Sequence, residues 1–239
     1  MEFKTAFYTD IGGRACNEDA VRLQTHQRGS LCVVVADGLG GHGGGDRASQ
    51  TTTQVLCSQW NGCTTPQSLI GPIQQAHREI QAMQTGQAAM RSTVVALAVD
   101  ELGASHAHAG DSRFYHFHNG ALIYQSLDHS ASQLAVIMDE ITPQQIRFHE
   151  DRNRVLKCLG QDGVLQPAAA EHALTPGHHA FLLCTDGFWE YVLEPEMEQD
   201  LQAASDPEDW LRRMRARLAR RIGPNNDNHT AAAVWCDVP

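Results

Sequence analysis

LCVVVADGLGGHGGG, residues 31–45, joins an apolar run to a glycine-rich loop and carries an aspartate between the two. The six residues 31–36 are apolar and include three successive valines, a composition typical of a buried strand. Asp37 and Gly38 follow directly. A carboxylate at the end of a buried strand is costly unless a hydrogen bond or a cation compensates its charge. The stretch therefore predicts a core strand that ends in a functional or turn-forming carboxylate.

Outward from this strand, short β-forming runs occur along the chain at 3–8, 20–25, 92–99, 114–118, 121–126, 180–184 and 230–236. Asn119 and Gly120 lie between two of these runs and predict an antiparallel hairpin. Helical spacing of apolar residues predicts two helices between 46 and 87, broken at 61–66, and another at 207–222. Strands and helices do not alternate regularly. This order favours an α+β sandwich, with antiparallel sheets covered by helices, in one domain spanning 1–239.

The charge balance and the length of the apolar segments limit the partners and the compartment. The 239 residues include 28 acidic and 18 basic side chains, a net charge of −10, whereas a general nucleic-acid binder needs excess cations. The N-terminus lacks the basic start and apolar core of a signal peptide, and the apolar runs are far shorter than the ~20 residues that span a bilayer. Seven cysteines without a C-x-x-C pair indicate reduced thiols. We therefore expect a cytoplasmic protein with no nucleic-acid or membrane partner.

Aspartates recur where the apolar runs end. Asp37 follows 31–36, Asp186 follows 180–184, Asp227 precedes 230–236, and Asp111 lies at a turn between two strand-like segments. Turn formation explains any one of these positions, because Asp and Asn favour turns. Metal coordination explains their repetition, because carboxylates gathered at one sheet edge need a cation between them. Both interpretations stay open at this point, and oxygen-only ligands would select Mg²⁺ or Mn²⁺ over zinc.

The loop 38–45 contains six glycines and matches the dinucleotide-binding pattern G-x-G-x-x-G at Gly38, Gly40 and Gly43. Asp37 would however direct a negative charge at the phosphates of a dinucleotide. The segment between 46 and 79 also contains no acidic residue to bind a ribose hydroxyl. We therefore favour a flexible backbone that approaches a metal closely, with a carbonyl next to Asp37 as a ligand.

Seven short motifs occur in an order and spacing that resemble one enzyme family. They are Gly13-Arg14-x-x-Asn17-Glu18-Asp19, Asp37-Gly38-Leu39-Gly40-Gly41-His42, Ser92-Thr93, Gly110-Asp111-Ser112-Arg113, Asp128-His129-Ser130, Thr185-Asp186-Gly187-Phe188-Trp189 and Asp227-Asn228-x-Thr230. Together they resemble the metal-dependent serine/threonine protein phosphatases, the type-2C or PPM family, in its short stand-alone bacterial form. The resemblance extends over almost the whole chain.

The resemblance implies a four-layer α/β/β/α sandwich of two mainly antiparallel sheets flanked by helices. It also implies two or three Mn²⁺ or Mg²⁺ ions where the loops of the two sheets meet. Asp37 would bridge two ions, Asp186 and Asp227 would complete one site, and the Gly38 carbonyl would serve the other. Asp111, together with Asp186, would bind a third and weaker ion.

By the same resemblance, Arg14 would bind the substrate phosphate, and Glu18 and Asp19 would support the metal-bound waters. A guanidinium fork matches two phosphate oxygens, and two divalent ions acidify a bridging water enough to attack phosphorus in line. A surface ion pair is the alternative role for Arg14. Leaving-group protonation stays unassigned, because Leu39 stands where many eukaryotic members carry a proposed histidine acid. His42 comes three residues later and is not assigned that role on residue type alone, and metal-bound water is an alternative source of the proton.

Three further features distinguish this chain. Arg91 stands where the family usually has a glycine before the Ser-Thr pair, and the segment at about 130–160 resembles the mobile flap that shapes substrate preference. Six arginines between 212 and 221 predict a basic helix. That helix either docks an acidic partner or forms a solvated face.

The implied function is hydrolysis of phosphoserine and phosphothreonine in proteins by a metal-bridging water. It would oppose a bacterial serine/threonine kinase, as in type VI secretion control, and the partner would be a phosphorylated protein. We expect the chain to act as a monomer. Two alternatives are a catalytically silent phosphoprotein-binding regulator, which should lack a metal carboxylate, and a hydrolase of small phosphoesters.

Overall fold

The computed structural model describes residues 1–27, 29–39, 44–84 and 89–239, which form eleven strands, six α-helices and one 3-10 helix. The strands are β1 (Lys4–Asp10), β2 (Asp19–Thr25), β3 (Leu31–Leu39), β4 (Arg91–Ser92), β5 (Val94–Val99), β6 (Ala104–Ala109), β7 (Arg113–His118), β8 (Ala121–Gln125), β9 (Ala168–His172), β10 (Gly177–Cys184) and β11 (His229–Val238). The helices are α1 (Gly45–Gln59), α2 (Pro66–Met83), α3 (Ala131–Ile137), α4 (Asp186–Trp189), α5 (Glu194–Ala203) and α6 (Pro207–Leu218), with the 3-10 helix at Pro143–Phe148.

The strands form two antiparallel sheets that pack face to face. One sheet has the order β1-β11-β10-β7-β8, and the other has the order β2-β3-β5-β6-β9 with β4 paired to β3. Apolar side chains from both sheets fill the space between them, among them Val33, Val95, Phe114, Phe181 and Val234. All six residues of β5 are buried. A strand covered on both faces needs no polar side, which explains its uninterrupted apolar sequence.

Helices cover the outer face of each sheet and complete the four layers. α1 and α2 pack on the sheet that contains β3 through side chains such as Leu56 and Ile73. α5 and α6 pack on the other sheet through Met197, Trp210 and Met214. The predicted α/β/β/α sandwich is therefore confirmed. Among the described helices, none combines the length and the apolar character that crossing a bilayer requires.

Several local predictions are confirmed, and the helix prediction needs two corrections. The hairpin turn forms at Asn119 and Gly120, which both have positive φ values of 49° and 82°. α1, α2 and α6 occupy the predicted helical segments, but α6 ends at Leu218 rather than at 222. The sequence pattern does not predict α4 and α5. Both are short and carry few apolar residues at helical spacing, so packing against the sheet determines them.

β3 continues beyond its predicted end at residue 36 and includes Asp37. The strand is longer because Gly38 and Leu39 pair with Ser92 and Arg91 of β4. Asp37 is therefore a residue within a paired strand rather than one at its tip. The glycine-rich loop with the dinucleotide-like pattern spans 38–45. Residues 40–43 of this loop, including His42, lie outside the described residues.

Candidate active site

Six chain segments border one cavity of about 400 Å³, which we call the active-site cavity. β3 contributes Asp37, the turn between β6 and β7 contributes Asp111, the start of α4 contributes Asp186, and the residues before β11 contribute Asp227. The other two segments lie between β1 and β2 and in the predicted flap. The full lining is Arg14, Ala15, Cys16, Glu18, Asp37, Gly38, Leu39, Asp111, Asn153, Val155, Asp186, Asp227 and Asn228.

The structure brings all but one of the predicted site residues to this cavity. The exception is Asp19, which is buried and lies opposite Asp37 in the β2–β3 ladder. Asp19 Oδ2 accepts a hydrogen bond of 2.9 Å from the Thr185 hydroxyl. Burial raises the pKa of Asp19 to about 8, although hydrogen bonds from Thr185 and Thr230 oppose that shift. Asp19 is therefore a residue behind the cavity wall, whereas Arg14 and Glu18 are part of that wall.

Three of the aspartates at the cavity, Asp37, Asp111 and Asp186, are poorly solvated and repel one another. Burial raises the pKa of Asp37 and of Asp111 well above the usual range, and the Asp186 carboxylate raises both further. The pKa of Asp186 rises to about 7, first through burial and then through Glu190 and Asp227. A cation placed among these groups would remove the repulsion and favour their ionised forms. The electrostatics of the cavity therefore fit a bound metal ion.

The donor atoms fit a hard divalent cation. The acidic side chains and the Gly38 carbonyl offer only oxygen, which Mg²⁺ and Mn²⁺ prefer. Asp111 Oδ1 is buried and has no hydrogen-bond partner in the described residues, so this oxygen is free to coordinate. Within those same residues, no three His, Cys, Asp or Glu side chains converge as a ready ligand set. Mg²⁺ is commonly held by one or two carboxylates and keeps several waters, so the donors present fit it.

Two glycines, Gly38 in the cavity wall and Gly187 next to Asp186, allow main chains to approach closely. A Cβ atom at Gly38 would lie 2.1 Å from the Gly45 carbonyl oxygen, and one at Gly187 would lie 2.1 Å from the Asn228 carbonyl oxygen. The Gly38 N–H also donates to the Glu18 carbonyl oxygen at 3.0 Å. Any larger residue at these positions would push apart the segments that carry the carboxylates.

Arg14 lines the cavity and forms an ion pair with Asp227, which is the alternative role predicted for it. Its Nη2 lies 2.7 Å from Asp227 Oδ2, and the two side chains are 54% and 42% exposed. The hydrogen bond and charge of Asp227 raise the pKa of Arg14. Because a guanidinium has five N–H donors, Arg14 can keep this pair and still donate to a phosphate. The geometry therefore accommodates both interpretations of Arg14.

Asn228 positions the segment that carries Arg14, a role that the sequence analysis does not assign. Its Nδ2 donates to the Ile11 and Cys16 carbonyl oxygens at 2.8 and 3.0 Å. Its Oδ1 accepts from the Glu18 N–H at 2.8 Å. The one signal in the sequence is its place in the last motif, next to Asp227. These three bonds hold the loop between β1 and β2 against the start of β11.

A buried network of Arg113, Asp128 and Trp189 supports Asp111, and the sequence alone predicts no role for these three residues. Arg113 donates two hydrogen bonds to Asp128, of 2.9 and 2.8 Å, and both side chains are 2% exposed. The Arg113 guanidinium carbon lies 3.4 Å from the centre of the Trp189 ring. Trp189 Nε1 in turn donates to the Asp111 carbonyl oxygen at 2.9 Å. All three lie in the seven motifs of the phosphatase resemblance, and this position is the sequence signal that could have indicated them.

The segment at about 130–160 borders the active-site cavity through Asn153 and Val155. α3 begins after Ser130, whose hydroxyl accepts from the Gln133 N–H at 3.2 Å, as a helix cap should. A β-bridge between Ser130 and Val155 joins the main chain near the two ends of this segment. Its role as a flap that shapes substrate preference stays a prediction.

Comparisons of the sequence with known proteins indicate one family. The sequence profile of the family protein phosphatase 2C matches residues 9–229. The serine/threonine phosphatase stp of Listeria monocytogenes is 30% identical over 210 residues, which cover 82% of each chain.

Two solved structures extend this likeness to three dimensions. PppA, a key regulatory component of T6SS in Pseudomonas aeruginosa, is 30% identical with a TM-score of 0.78, and the match covers 98% of this chain and 97% of that one. The catalytic domain of the serine/threonine protein phosphatase PstP in complex with two manganese ions is 25% identical with a TM-score of 0.82, and the match covers 98% of this chain and 99% of that one. The chain therefore belongs to the protein phosphatase 2C family and is a metal-dependent protein-serine/threonine phosphatase.

Proposed function

We propose that the chain removes phosphate from phosphoserine and phosphothreonine in proteins at the active-site cavity. Two or three Mn²⁺ or Mg²⁺ ions would be held there by Asp37, the Gly38 carbonyl, Asp111, Asp186 and Asp227. The observation that supports this most directly is that four aspartates from separate segments line one cavity beside a half-exposed arginine. The raised pKa values of Asp37, Asp111 and Asp186 add support, because burial and neighbouring carboxylates disfavour their ionised forms unless a cation binds.

Such ions, when bound, supply water acidified enough to attack phosphorus at neutral pH. The residues of this chain bind and orient the reactants. Arg14 donates through its guanidinium fork to two phosphate oxygens and so directs the phosphorus toward the carboxylates. Glu18 accepts hydrogen bonds from water at the cavity wall, and Asp19 supports the site from behind Asp37. Because the attacking oxygen comes from water, the reaction needs no covalent phosphoenzyme.

The partners in this proposal follow from the reaction. The substrate is a phosphorylated protein, and the phosphatase opposes the serine/threonine kinase that phosphorylates it. Control of type VI secretion is the setting suggested by PppA, the T6SS component that is 30% identical to this chain. The chain acts as a cytoplasmic monomer of one domain, with a flap at about 130–160.

Phosphate release from a phosphothreonine peptide, measured with Mn²⁺, with Mg²⁺ and with EDTA, tests the proposal. We expect release that EDTA abolishes and that added metal restores. Peptide binding without release would favour the silent regulator. Release from p-nitrophenyl phosphate but not from any phosphopeptide would favour a hydrolase of small phosphoesters.

Asp186→Asn tests the metal assignment, because it removes one charged ligand and keeps the shape of the side chain. We expect a folded protein with weaker Mn²⁺ binding by calorimetry and about 10²–10³-fold lower kcat, since a metal ligand supports several kcal/mol of transition-state stabilisation. Asp162→Asn makes the same change at an exposed position outside the cavity and should leave Mn²⁺ binding and kcat unchanged. Near wild-type turnover and Mn²⁺ affinity in folded Asp186→Asn would contradict the assignment.

A further inference from the structure

A second cavity of about 470 Å³ adjoins the active-site cavity. The two cavities share Leu39, Asn153 and Val155 in their linings. The second cavity extends away from the carboxylates to Arg91 of β4 and Arg154 of the predicted flap. None of the aspartates that line the active-site cavity borders it. A side chain next to a bound phosphoresidue could therefore enter a space whose charged groups are both positive.

Among the residues that the structure describes, Arg91 and Arg154 have no charge partner, unlike the other arginines near the active site. Arg14 pairs with Asp227, and Arg152, which is close to Arg154 in sequence, pairs with Glu190 at 3.0 Å. In the part of the chain that the structure describes, the guanidinium groups of Arg91 and Arg154 form neither an ion pair nor a hydrogen bond. The nine residues of the chain that lie outside the described ranges include no Asp or Glu. Both side chains are exposed and available to an external anion.

The main chain holds both arginines at the rim of this cavity. Arg91 pairs with Leu39 across β3 and β4, and its neighbour Ser92 exchanges hydrogen bonds of 3.2 and 2.8 Å with Leu159. Ser92 is buried, so the alternation of a strand directs Arg91 to the opposite, solvent-facing side. The Arg154 N–H donates to the Asp151 carbonyl oxygen at 2.9 Å, and its carbonyl oxygen accepts from the Ala131 N–H at 3.0 Å.

In the described structure, the arginine-rich segment 212–221, which comprises the end of α6 and the residues that follow it, does not offer comparable free charges. Five of its six arginines form ion pairs with carboxylates of the chain in the described structure, namely Arg212 and Arg213 with Asp209, Arg215 with Asp10, Arg217 with Asp200, and Arg221 with Glu196. An acidic partner would have to displace these carboxylates. This pairing favours the solvated-face interpretation of the helix over docking.

We propose that Arg91 and Arg154 form a subsite for a second anionic group of the phosphoprotein substrate, close in sequence to the residue that is dephosphorylated. The inference rests on the proposed function and adds to it a substrate preference. Planar guanidinium groups donate in pairs to phosphate or carboxylate oxygens, so a second phosphoryl group and an Asp or Glu side chain share the required chemistry. Arg91 occupies the place of a glycine in the family resemblance, which makes the preference a property of this chain.

Three phosphothreonine peptides of one sequence test the subsite. Their flanking positions carry neutral residues, Asp and Glu, or a second phosphoserine, and kcat/KM is measured for each with Mn²⁺. We expect both anionic peptides to exceed the neutral one about tenfold, mainly through KM, with the advantage decreasing at high salt. A larger advantage for the second phosphoserine identifies a phosphoryl group as the preferred anion, and equal advantages identify a carboxylate as sufficient.

The double variant Arg91→Gln/Arg154→Gln should reduce the anionic-to-neutral ratio of kcat/KM toward one. Arg212→Gln/Arg220→Gln, which removes the same two positive charges at exposed positions outside both cavities, should keep the wild-type ratio. A wild-type ratio near one, or a double variant that keeps the full ratio, would overturn the subsite. Dissociation constants of the same labelled peptides, measured by fluorescence anisotropy, decide the question independently of turnover. If no peptide is hydrolysed but the anionic ones bind in an arginine-dependent way, the proposed function fails and the subsite stands.

Discussion

Replacing Asp128 by Asn should destabilise the protein through a single buried charge. The Asp128 carboxylate accepts two hydrogen bonds from Arg113, and both side chains are 2% exposed. Asn keeps the shape but removes the negative charge, so the Arg113 guanidinium is left buried with Glu194, 3.5 Å away, as its remaining carboxylate. Breaking a buried pair from one side costs ~3–5 kcal/mol. Glu194 and the Trp189 ring still compensate part of the charge, so we expect a loss of about 3 kcal/mol.

This loss should be visible as a lower Tm. In a chain of this size, 1 kcal/mol shifts Tm by roughly 2–4 °C, so Asp128→Asn should unfold about 6–12 °C below the wild type. Thermal unfolding followed by calorimetry measures the shift. Asp237→Asn is the control, because the Asp237 side chain is 80% exposed in its pair with His178 and should leave Tm unchanged. A Tm for Asp128→Asn within about 2 °C of the wild type would refute the reasoning.

The same variant should also weaken metal binding at temperatures where it remains folded. Arg113 packs on Trp189, and Trp189 Nε1 donates to the Asp111 main chain, so a displaced Arg113 disturbs the Asp111 turn. Partners that orient metal ligands typically contribute 10–100-fold to affinity, so we expect about tenfold weaker Mn²⁺ binding by calorimetry. Unchanged Mn²⁺ affinity in a destabilised Asp128→Asn would show that Asp111 is positioned independently of Arg113.

Acid and the loss of Asn228 are two further perturbations with defined outcomes. Burial lowers the pKa of His106 to about 2, of His116 to about 3 and of His172 to about 4. The unfolded chain takes up protons at these sites below about pH 6.5 while the folded chain does not, so between about pH 6 and pH 4.5 each histidine should lower the free energy of unfolding by about 1.4 kcal/mol for every unit by which the pH falls. The raised pKa values of Asp19 and Asp186 act in the opposite direction. Urea titrations of the wild type and of His116→Phe isolate the histidine contribution, because the free energy of unfolding of the variant should fall less steeply with acid, and identical slopes contradict it. Asn228→Ala removes the three hydrogen bonds that hold the Arg14 segment and should raise KM for a phosphopeptide about tenfold; an unchanged KM, or an equal rise in the exposed control Asn225→Ala, would contradict that role.

The fold class and the carboxylates could be predicted because both depend on local pattern. Apolar runs such as β5 show that strands are covered on both faces, and aspartates next to such runs indicate where the strands leave the core. Local pattern does not predict that Asp37 lies within the strand rather than at its end. The strand continues through Asp37 because β4, far along the chain, pairs with Gly38 and Leu39. Nothing within 31–39 itself encodes that pairing.

The residues that position the site could not be predicted because their contacts depend on tertiary register. Asn228 bonds the Ile11 carbonyl across 217 positions of sequence, and Trp189 bonds the Asp111 carbonyl across 78. Neither side chain has a chemistry that suggests a ligand or a catalyst. Their roles follow only when the start of β11 lies against the loop after β1, and when α4 lies against the turn after β6.

The placement of the arginines indicates how an acidic chain binds an anionic substrate. A net charge of −10 and a carboxylate-lined cavity repel a phosphoprotein unless cations compensate both. Divalent ions held by the aspartates would neutralise the centre of the cavity, but residues that flank the phosphorylated one lie beyond those ions. Of the arginines that line the two adjoining cavities, Arg91 and Arg154 are the pair without an ion-pair partner in the described structure. Chemistry and charge preference therefore depend on different residues, and substitutions at Asp186 and at Arg91 should separate kcat from KM.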